Sequence, residues 1–405
     1  MEHGVAGDGP QAAAAALADP DDLAPSAELQ AAPPVDVIPL VDVPAQQREV
    51  AVEVMAGFEG VIERAEFVSG REVGVFEATW ASFCGVRHCL GVANGTDALA
   101  LALRAVGVGP GDEVVIPAMT FVATAEAVVH AGATPVVVDV DARHLMMDVD
   151  RTEAAIGART RALLAVDLYG QVAPMESLEA LARHAGVALI EDAAQAHGAM
   201  RHGRRAGSFG LAAGMSFYPG KNLGAYGDAG AVLTDDDDIA GRVRLLRNHG
   251  SDTQYRHEVL GFNSRLDTLQ AVVLSAKAAR LVEWNQQRRE AAARYDEMLR
   301  ELPGVVLPST LRGNEHVWHL YVVRVPRRDE VLQRLRDAGI HAAVHYPSPV
   351  HLQGALARLG YRRGDLPVSE TAARQILSLP LFPRISVAQQ ERVAGRLQSA
   401  LRAVA

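Results

Sequence analysis

Lys221, in a glycine-rich and aromatic stretch, is a candidate for chemistry that arginine cannot perform. Of 39 lysines and arginines only two are lysine, Lys221 and Lys277, which leaves 37 arginines. A chain that makes its positive surface from arginine does not need lysine for charge alone. Arginine keeps its proton near neutral pH, whereas a lysine amine can lose it and attack a carbonyl. The product is a Schiff base, formed with a substrate or with pyridoxal phosphate. Lys221 lies in Ser216-Phe217-Tyr218-Pro219-Gly220-Lys221-Asn222-Leu223-Gly224, a glycine-rich and aromatic loop. Lys277 falls in an Ala/Leu-rich helical stretch and is expected at the surface.

Other residues could complete such a site. Asp192 ends the apolar run 187–190 and can meet a pyridinium nitrogen, keeping it protonated and the ring a strong electron sink. Capping a helix over residues 193–195 is the alternative. Ser216 precedes the lysine loop and can offer its hydroxyl to a phosphate. Asn94-Gly95-Thr96-Asp97 follows a strand and opens a helix, whose free N–H groups and dipole favour an anion. A plain structural cap accounts for it equally well. Phe121, after the run 114–116, can cover a planar ring or simply pack in the core.

The elements that must position these residues alternate. Apolar runs at 89–93, 113–116, 134–140, 162–167, 187–191, 215–218 and 231–233 are separated by helical stretches. This predicts an α/β domain with a mostly parallel sheet and a site at the carboxyl ends of its strands. Aspartates 235–238 read as the start of a helix over 239–248, since they lack the spaced ligands and glycine of a calcium loop. A helix over 266–300 would connect to a smaller C-terminal region with a strand at 318–325 and a helix at 328–338. The expected division is a tail over 1–36, a large domain over 37–265, and a connecting helix with a small α+β domain over 266–405. The Ala/Pro/Asp-rich tail reads as disordered and has neither the basic start nor the apolar core of a signal peptide.

Composition narrows the class. With 49% apolar and 22% charged residues the chain reads as a globular enzyme. A net charge of −10 argues against nucleic acid as a partner. No run is long and apolar enough for a membrane span. Cys84 and Cys89 give no disulfide framework or metal spacing, which suits a cytoplasmic protein. His316 and His319 flank an apolar strand and are expected to pack or hydrogen-bond; no metal is predicted.

Taken in order, the motifs form a recognisable set. Asn94-Gly95-Thr96-Asp97-Ala98-Leu99, Pro117-Ala118-Met119-Thr120-Phe121, Tyr169-Gly170-Gln171 and Glu191-Asp192-Ala193-Ala194-Gln195-Ala196-His197-Gly198 come first. The lysine loop, Asn248-His249-Gly250, Gly261-Phe262-Asn263-Ser264-Arg265-Leu266-Asp267 and His345-Tyr346-Pro347 follow. Together they closely resemble the DegT–DnrJ–StrS family of pyridoxal-phosphate sugar aminotransferases, from about residue 37 to the C-terminus.

The resemblance implies a fold-type I transferase acting as a homodimer with shared active sites. It implies that Lys221 bonds the cofactor, Asp192 pairs with its ring nitrogen and Gln195 lies near its ring hydroxyl. Gly95, Thr96 and Ser216 would hold its phosphate, Phe121 would cover its face, and Asn263 would reach the neighbouring subunit's cofactor. His345 and Tyr346 would stand beside the substrate, and Arg247 and Arg265 are candidates for its pyrophosphate. L-Glutamate is the implied amino donor and a nucleotide-diphosphate keto sugar the acceptor. The motifs around Tyr169 and Asn263 look most like enzymes acting at C3 of TDP-keto-6-deoxyhexoses. Relatives that dehydrate sugars carry histidine in place of the lysine, and an iron–sulfur branch needs more cysteines; both points favour transamination. A cyclitol aminotransferase or a PLP-dependent sugar dehydratase, and a non-enzymatic cofactor-binding regulator, are the competing readings.

Overall fold

Short Val/Ile runs joined by Ala/Leu-rich helices can pair in parallel only through crossovers, and residues 88–234 fold that way. The structure is a computed structural model and describes residues 37–253 and 255–404. The expected tail over 1–36 lies outside the described residues.

The N-terminal helices α1 (Val43–Arg64) and α2 (Arg71–Cys84) precede β1 (His88–Val92), α3 (Gly95–Ala105) and β2 (Glu113–Pro117). Next come α4 (Val122–His130), β3 (Thr134–Val138), α5 (Val149–Ala155), β4 (Thr160–Val166), α6 (Met175–Ala185) and β5 (Ala188–Asp192). A hairpin of β6 (Met200–Arg201) and β7 (Arg204–Arg205) leads to β8 (Ala212–Ser216), β9 (Gly230–Thr234) and α7 (Asp237–Arg247). The main sheet has the order β1-β9-β8-β5-β4-β2-β3. Only β9 runs antiparallel, pairing with β1 on one side and β8 on the other.

Both faces of the sheet are covered. Val115, Leu163 and Leu189 pack on one side with Phe76, Trp80, Met175 and Leu178. Val114, Leu164 and Ile190 pack on the other with Leu99, Leu103 and Val243. Burial on two faces explains why these strands read as unbroken apolar runs without alternation.

The C-terminal part has α8 (Thr268–Ala278), α9 (Leu281–Leu299), β10 (Asn314–Glu315), β11 (Tyr321–Arg324), α10 (Arg328–Asp337), α11 (Pro367–Gln375), β12 (Ile376–Leu379) and α12 (Val387–Val404). Strands β11 and β12 form an antiparallel pair, and β10 pairs with β6. The pair packs on α9, α10 and α12 through Tyr295, Val323, Leu335 and Leu397.

Three expectations need correction. The single helix over 266–300 is two helices, α8 and α9. The chain turns at Arg280 so that Trp284 can bury against Val50, Val54 and Val273; tertiary packing overrides local propensity there. The strand at 318–325 starts only at Tyr321, because Trp318 takes a positive φ of 48°. Lys277 is on a helix but not at the surface: it is 2% exposed. The aspartate run behaves as expected, with the Asp236 side chain accepting from the N–H groups of Asp238 and Ile239 at 2.9 and 3.0 Å.

Candidate active site

Strands β1, β2, β4, β5 and β8 all point their carboxyl ends to one edge, and most of the predicted site residues lie just past those ends. Asn94 follows β1 and caps α3, its Oδ1 accepting from Asp97 N–H at 2.8 Å. Gly95 and Thr96 are the first residues of α3, so their N–H groups have no carbonyl partner one turn back. Gly95 faces Ser216 closely: a Cβ on Gly95 would lie 2.5 Å from Ser216 Cβ. The helix start and the end of β8 therefore form a cradle that any side chain at 95 would fill.

Asp192 ends β5 and is 5% exposed. Thr124 Oγ1 donates to its Oδ2 at 2.7 Å, and Ala194 N–H donates to Oδ1 at 3.2 Å. Thr120 Oγ1 lies 2.6 Å from Thr124 Oγ1, and the Thr124 proton is committed to Asp192, so Thr120 is the donor in that pair. Burial pushes the Asp192 carboxyl above its ordinary value, while Thr124, Ala194 and the Lys221 charge pull it down. A buried carboxylate in that balance suits a further cation.

Lys221 is half-buried in the loop after β8, its N–H donating to Tyr218 O at 2.8 Å. Burial lowers its amine to about 8, with the Asp192 charge working against the fall. The same loop is gripped from beneath by the chain's other lysine. Lys277 Nζ donates to Gly224 O at 2.7 Å and sits 4.8 Å from the Tyr226 ring centre. Both lysines thus serve one loop.

Gln195 is fixed at both ends. Its Oε1 accepts from Tyr169 N–H at 2.7 Å and its Nε2 donates to the Tyr346 hydroxyl at 3.0 Å. Tyr169 has φ 61° and donates its own hydroxyl to the His345 carbonyl. The Phe121 ring is exposed and 5.4 Å from the Tyr346 ring centre. His345 is anchored by Ser378 Oγ at 2.8 Å, and burial followed by the Lys221 charge lowers its imidazole to about 4. Segment 345–346 of the C-terminal part therefore closes over the edge of the main sheet.

The remaining predicted residues stand apart from this group. Asn263 and Arg265 line an open cavity of about 590 Å³ with Asn94, Asp228, Asp267 and Gln270. Arg265 donates to Asn248 Oδ1 at 3.0 Å. Arg247 is committed elsewhere, to Glu77 Oε1 at 2.5 Å and Gly91 O at 2.8 Å. His316 stacks on Trp318 with centres 3.9 Å apart. Sequence reasoning missed Thr124, Tyr169, His197, Asn222 and Lys277 as parts of the site. For Lys277 the signal was present, since the rarity of lysine applies to both.

The arrangement fits pyridoxal phosphate. The Gly95–Ser216 cradle suits its phosphate, Asp192 its ring nitrogen, Lys221 its aldehyde and Phe121 its face.

Comparison with known proteins agrees. A model of the DegT/DnrJ/EryC1/StrS aminotransferase family matches residues 49–398. A pleiotropic regulatory protein of Geobacillus stearothermophilus is 45% identical, covering 89% of this chain and 97% of that protein. The dTDP-3-amino-3,4,6-trideoxy-alpha-D-glucose transaminase of Streptomyces venezuelae is 47% identical, covering 88% of this chain and 94% of its own length. The crystal structure of S. venezuelae DesV in complex with a ketimine intermediate superposes with a TM-score of 0.88 at 46% identity, covering 90% of this chain and 98% of that one. With these matches across the length of the fold, the chain belongs to the DegT/DnrJ/EryC1/StrS aminotransferase family.

Proposed function

We propose that this aminotransferase moves an amino group from L-glutamate to C3 of a TDP-linked keto-deoxyhexose, giving an amino sugar for a natural product or cell-surface glycan. The observation that carries the reading is geometric: Lys221 stands in the loop leaving β8, whose last residue Ser216 faces Gly95, and the buried Asp192 carboxylate ends the neighbouring strand β5. The S. venezuelae transaminase, whose name places nitrogen at C3 of a dTDP sugar, supports the substrate class.

Pyridoxal phosphate, when bound, supplies the carbonyl that takes up the amino group and the ring that takes up electrons. The chain does the rest. The start of α3 and Ser216 would hold the phosphate, and Asp192 would hold a proton on the ring nitrogen. The Lys221 amine would move the α-proton as general base and then as general acid. Tyr346, positioned by Gln195, and His345 wall the side on which the amino donor and the sugar enter in turn.

An absorption spectrum with pyridoxal phosphate, before and after L-glutamate, tests the reaction. The visible band of the lysine-bound cofactor should form, fade with glutamate, and return with the correct keto sugar. The relative named as a regulator favours a second reading, binding without turnover. A band that ignores every amino donor would support it.

Rate against pH gives a sharper check on Lys221. Capture of the cofactor needs the neutral amine, so the second-order rate should rise with pH through about 8 and level off above it. In Asp192→Asn the charge that favours the ammonium is gone, and the rise should move to lower pH. Stopped-flow absorbance measures both; a rate flat across that range would remove the amine from the capture step.

The active unit is a homodimer. Large apolar side chains stand exposed on segment 255–262, with Tyr255 at 88% and Leu260 at 95%, next to Asn263 on the cavity that includes Asn94. If Asn263 serves the neighbouring subunit's site, Lys221→Arg and Asn263→Ala are each inactive alone. Their co-expressed heterodimer contains one site with both native residues and should regain roughly half the activity of a native dimer. Purified heterodimer with no activity would place Asn263 in its own subunit's site.

A further inference from the structure

Behind Lys221 runs a chain of amide hydrogen bonds. Asn222, the residue after the lysine, is 1% exposed. Its Nδ2 donates to Val317 O at 3.0 Å and to Asn285 Oδ1 at 2.9 Å. Asn285, on α9 and 3% exposed, donates from Nδ2 to His197 O at 2.8 Å. His197, fully buried, donates from Nε2 to Ser216 O at 2.9 Å. At the other end, Asn222 Oδ1 lies 3.2 Å from His319 Nδ1.

Backbone carbonyls only accept, so they force every orientation along this path. Val317 O makes the Asn222 nitrogen face it, and His197 O does the same for Asn285. Asn222 Oδ1 can then only accept, so His319 must carry its proton on Nδ1. His197 must carry its proton on Nε2, which leaves Nδ1 a buried atom without a hydrogen-bond partner. Burial, with the nearby Lys221 charge, keeps both rings neutral.

We propose that Asn222 and Asn285 are positioning residues for Lys221, acting as a relay that ties the lysine loop and the end of β8 to α9 and segment 317–319. The two ends of the relay meet the chain at Ser216 and beside Lys221. It therefore fixes the spacing between the phosphate cradle and the amine. The elements it joins come from both the main sheet and the C-terminal part, so neither alone would hold that spacing. The inference rests on the reading of Lys221 as the reacting amine.

The test uses the full chain loaded with pyridoxal phosphate, comparing Asn285→Ala and the volume-matched Asn285→Leu with the unmodified protein. Four quantities are measured: the pH midpoint of the visible band, kcat, KM for the keto sugar, and the melting temperature without cofactor. Both variants should move the midpoint by about 0.5 pH unit or more, an about three-fold change in proton affinity. They should lower kcat by about 10- to 100-fold, the scale of a small misplacement of a reacting group, with KM within about two-fold. Adding Asn222→Ala to either should cost little more, because the two amides act as a unit.

For Asn285→Leu, a midpoint within about 0.3 pH unit and a kcat within about two-fold of the unmodified protein would overturn the relay, whatever happens to the melting temperature. Failure of both variants to fold would make these amides part of the frame and overturn it too. No visible band in the unmodified chain would sink the Lys221 reading itself, and the relay with it.

Discussion

Lys221→Arg should fold, keep a positive charge beside Asp192, and lose turnover by on the order of 10⁴-fold or more, the scale seen when an essential nucleophile or base is removed. The guanidinium stays protonated throughout the accessible pH range, so it can neither bond the cofactor aldehyde nor move a proton. The loop should survive because its other holds are independent of the lysine head: Lys221 N–H to Tyr218 O, Asn222 to Asn285, and Lys277 to Gly224 O. The variant should show no visible band with pyridoxal phosphate and near-native melting. A turnover within about ten-fold of the unmodified protein would end the assignment of Lys221 as the reacting amine.

Asp192→Asn should be the second most damaging change, lowering kcat by roughly 10²- to 10⁴-fold. The carboxylate is buried, and its partners, Thr124 Oγ1 and Ala194 N–H, both donate to it. An amide offers one acceptor for those two donors, so about 1–3 kcal/mol of stability should go as well. The larger loss is electrostatic, because a neutral side chain no longer holds a proton on the ring nitrogen. Cofactor affinity should fall much less than kcat, since the phosphate cradle is untouched. Cofactor titration beside steady-state rates separates the two. Equal losses in both would make Asp192 a structural residue.

The local chemistry of the strands was legible without coordinates. Unbroken apolar runs at 114–116 and 187–190 mark strands buried on both faces, and such strands carry functional residues just past their carboxyl ends. Asn94 and Asp236 announce helix starts because a short polar side chain there satisfies N–H groups that nothing else can. The scarcity of lysine singled out Lys221 for the same kind of reason, a property that no other residue type supplies. These are facts about single residues and their immediate neighbours.

Other features depended on contacts between distant segments. Lys277 reads as a surface residue because its helix is ordinary; only the packing of α8 under the lysine loop buries it against Gly224. The break between α8 and α9 carries no glycine or proline, and arises because Trp284 finds a pocket between α1 and α8. Arg247 looks as available as any arginine until Glu77 and Gly91 take its guanidinium.

By itself, then, the sequence determined the α/β class and the strands that make the site's edge, and it singled out a lysine and an aspartate whose side-chain types suit the proposed chemistry. Those follow from local propensity, periodicity and side-chain chemistry, which act within a few residues. The tertiary structure alone decided that Gln195 bridges Tyr169 and Tyr346, that Asn285 reaches Asn222 from α9, and that His319 holds its proton on Nδ1. Hydrogen bonds between segments tens to more than a hundred residues apart have no periodic trace along the chain, and their partners are selected only when the packed core brings them within reach.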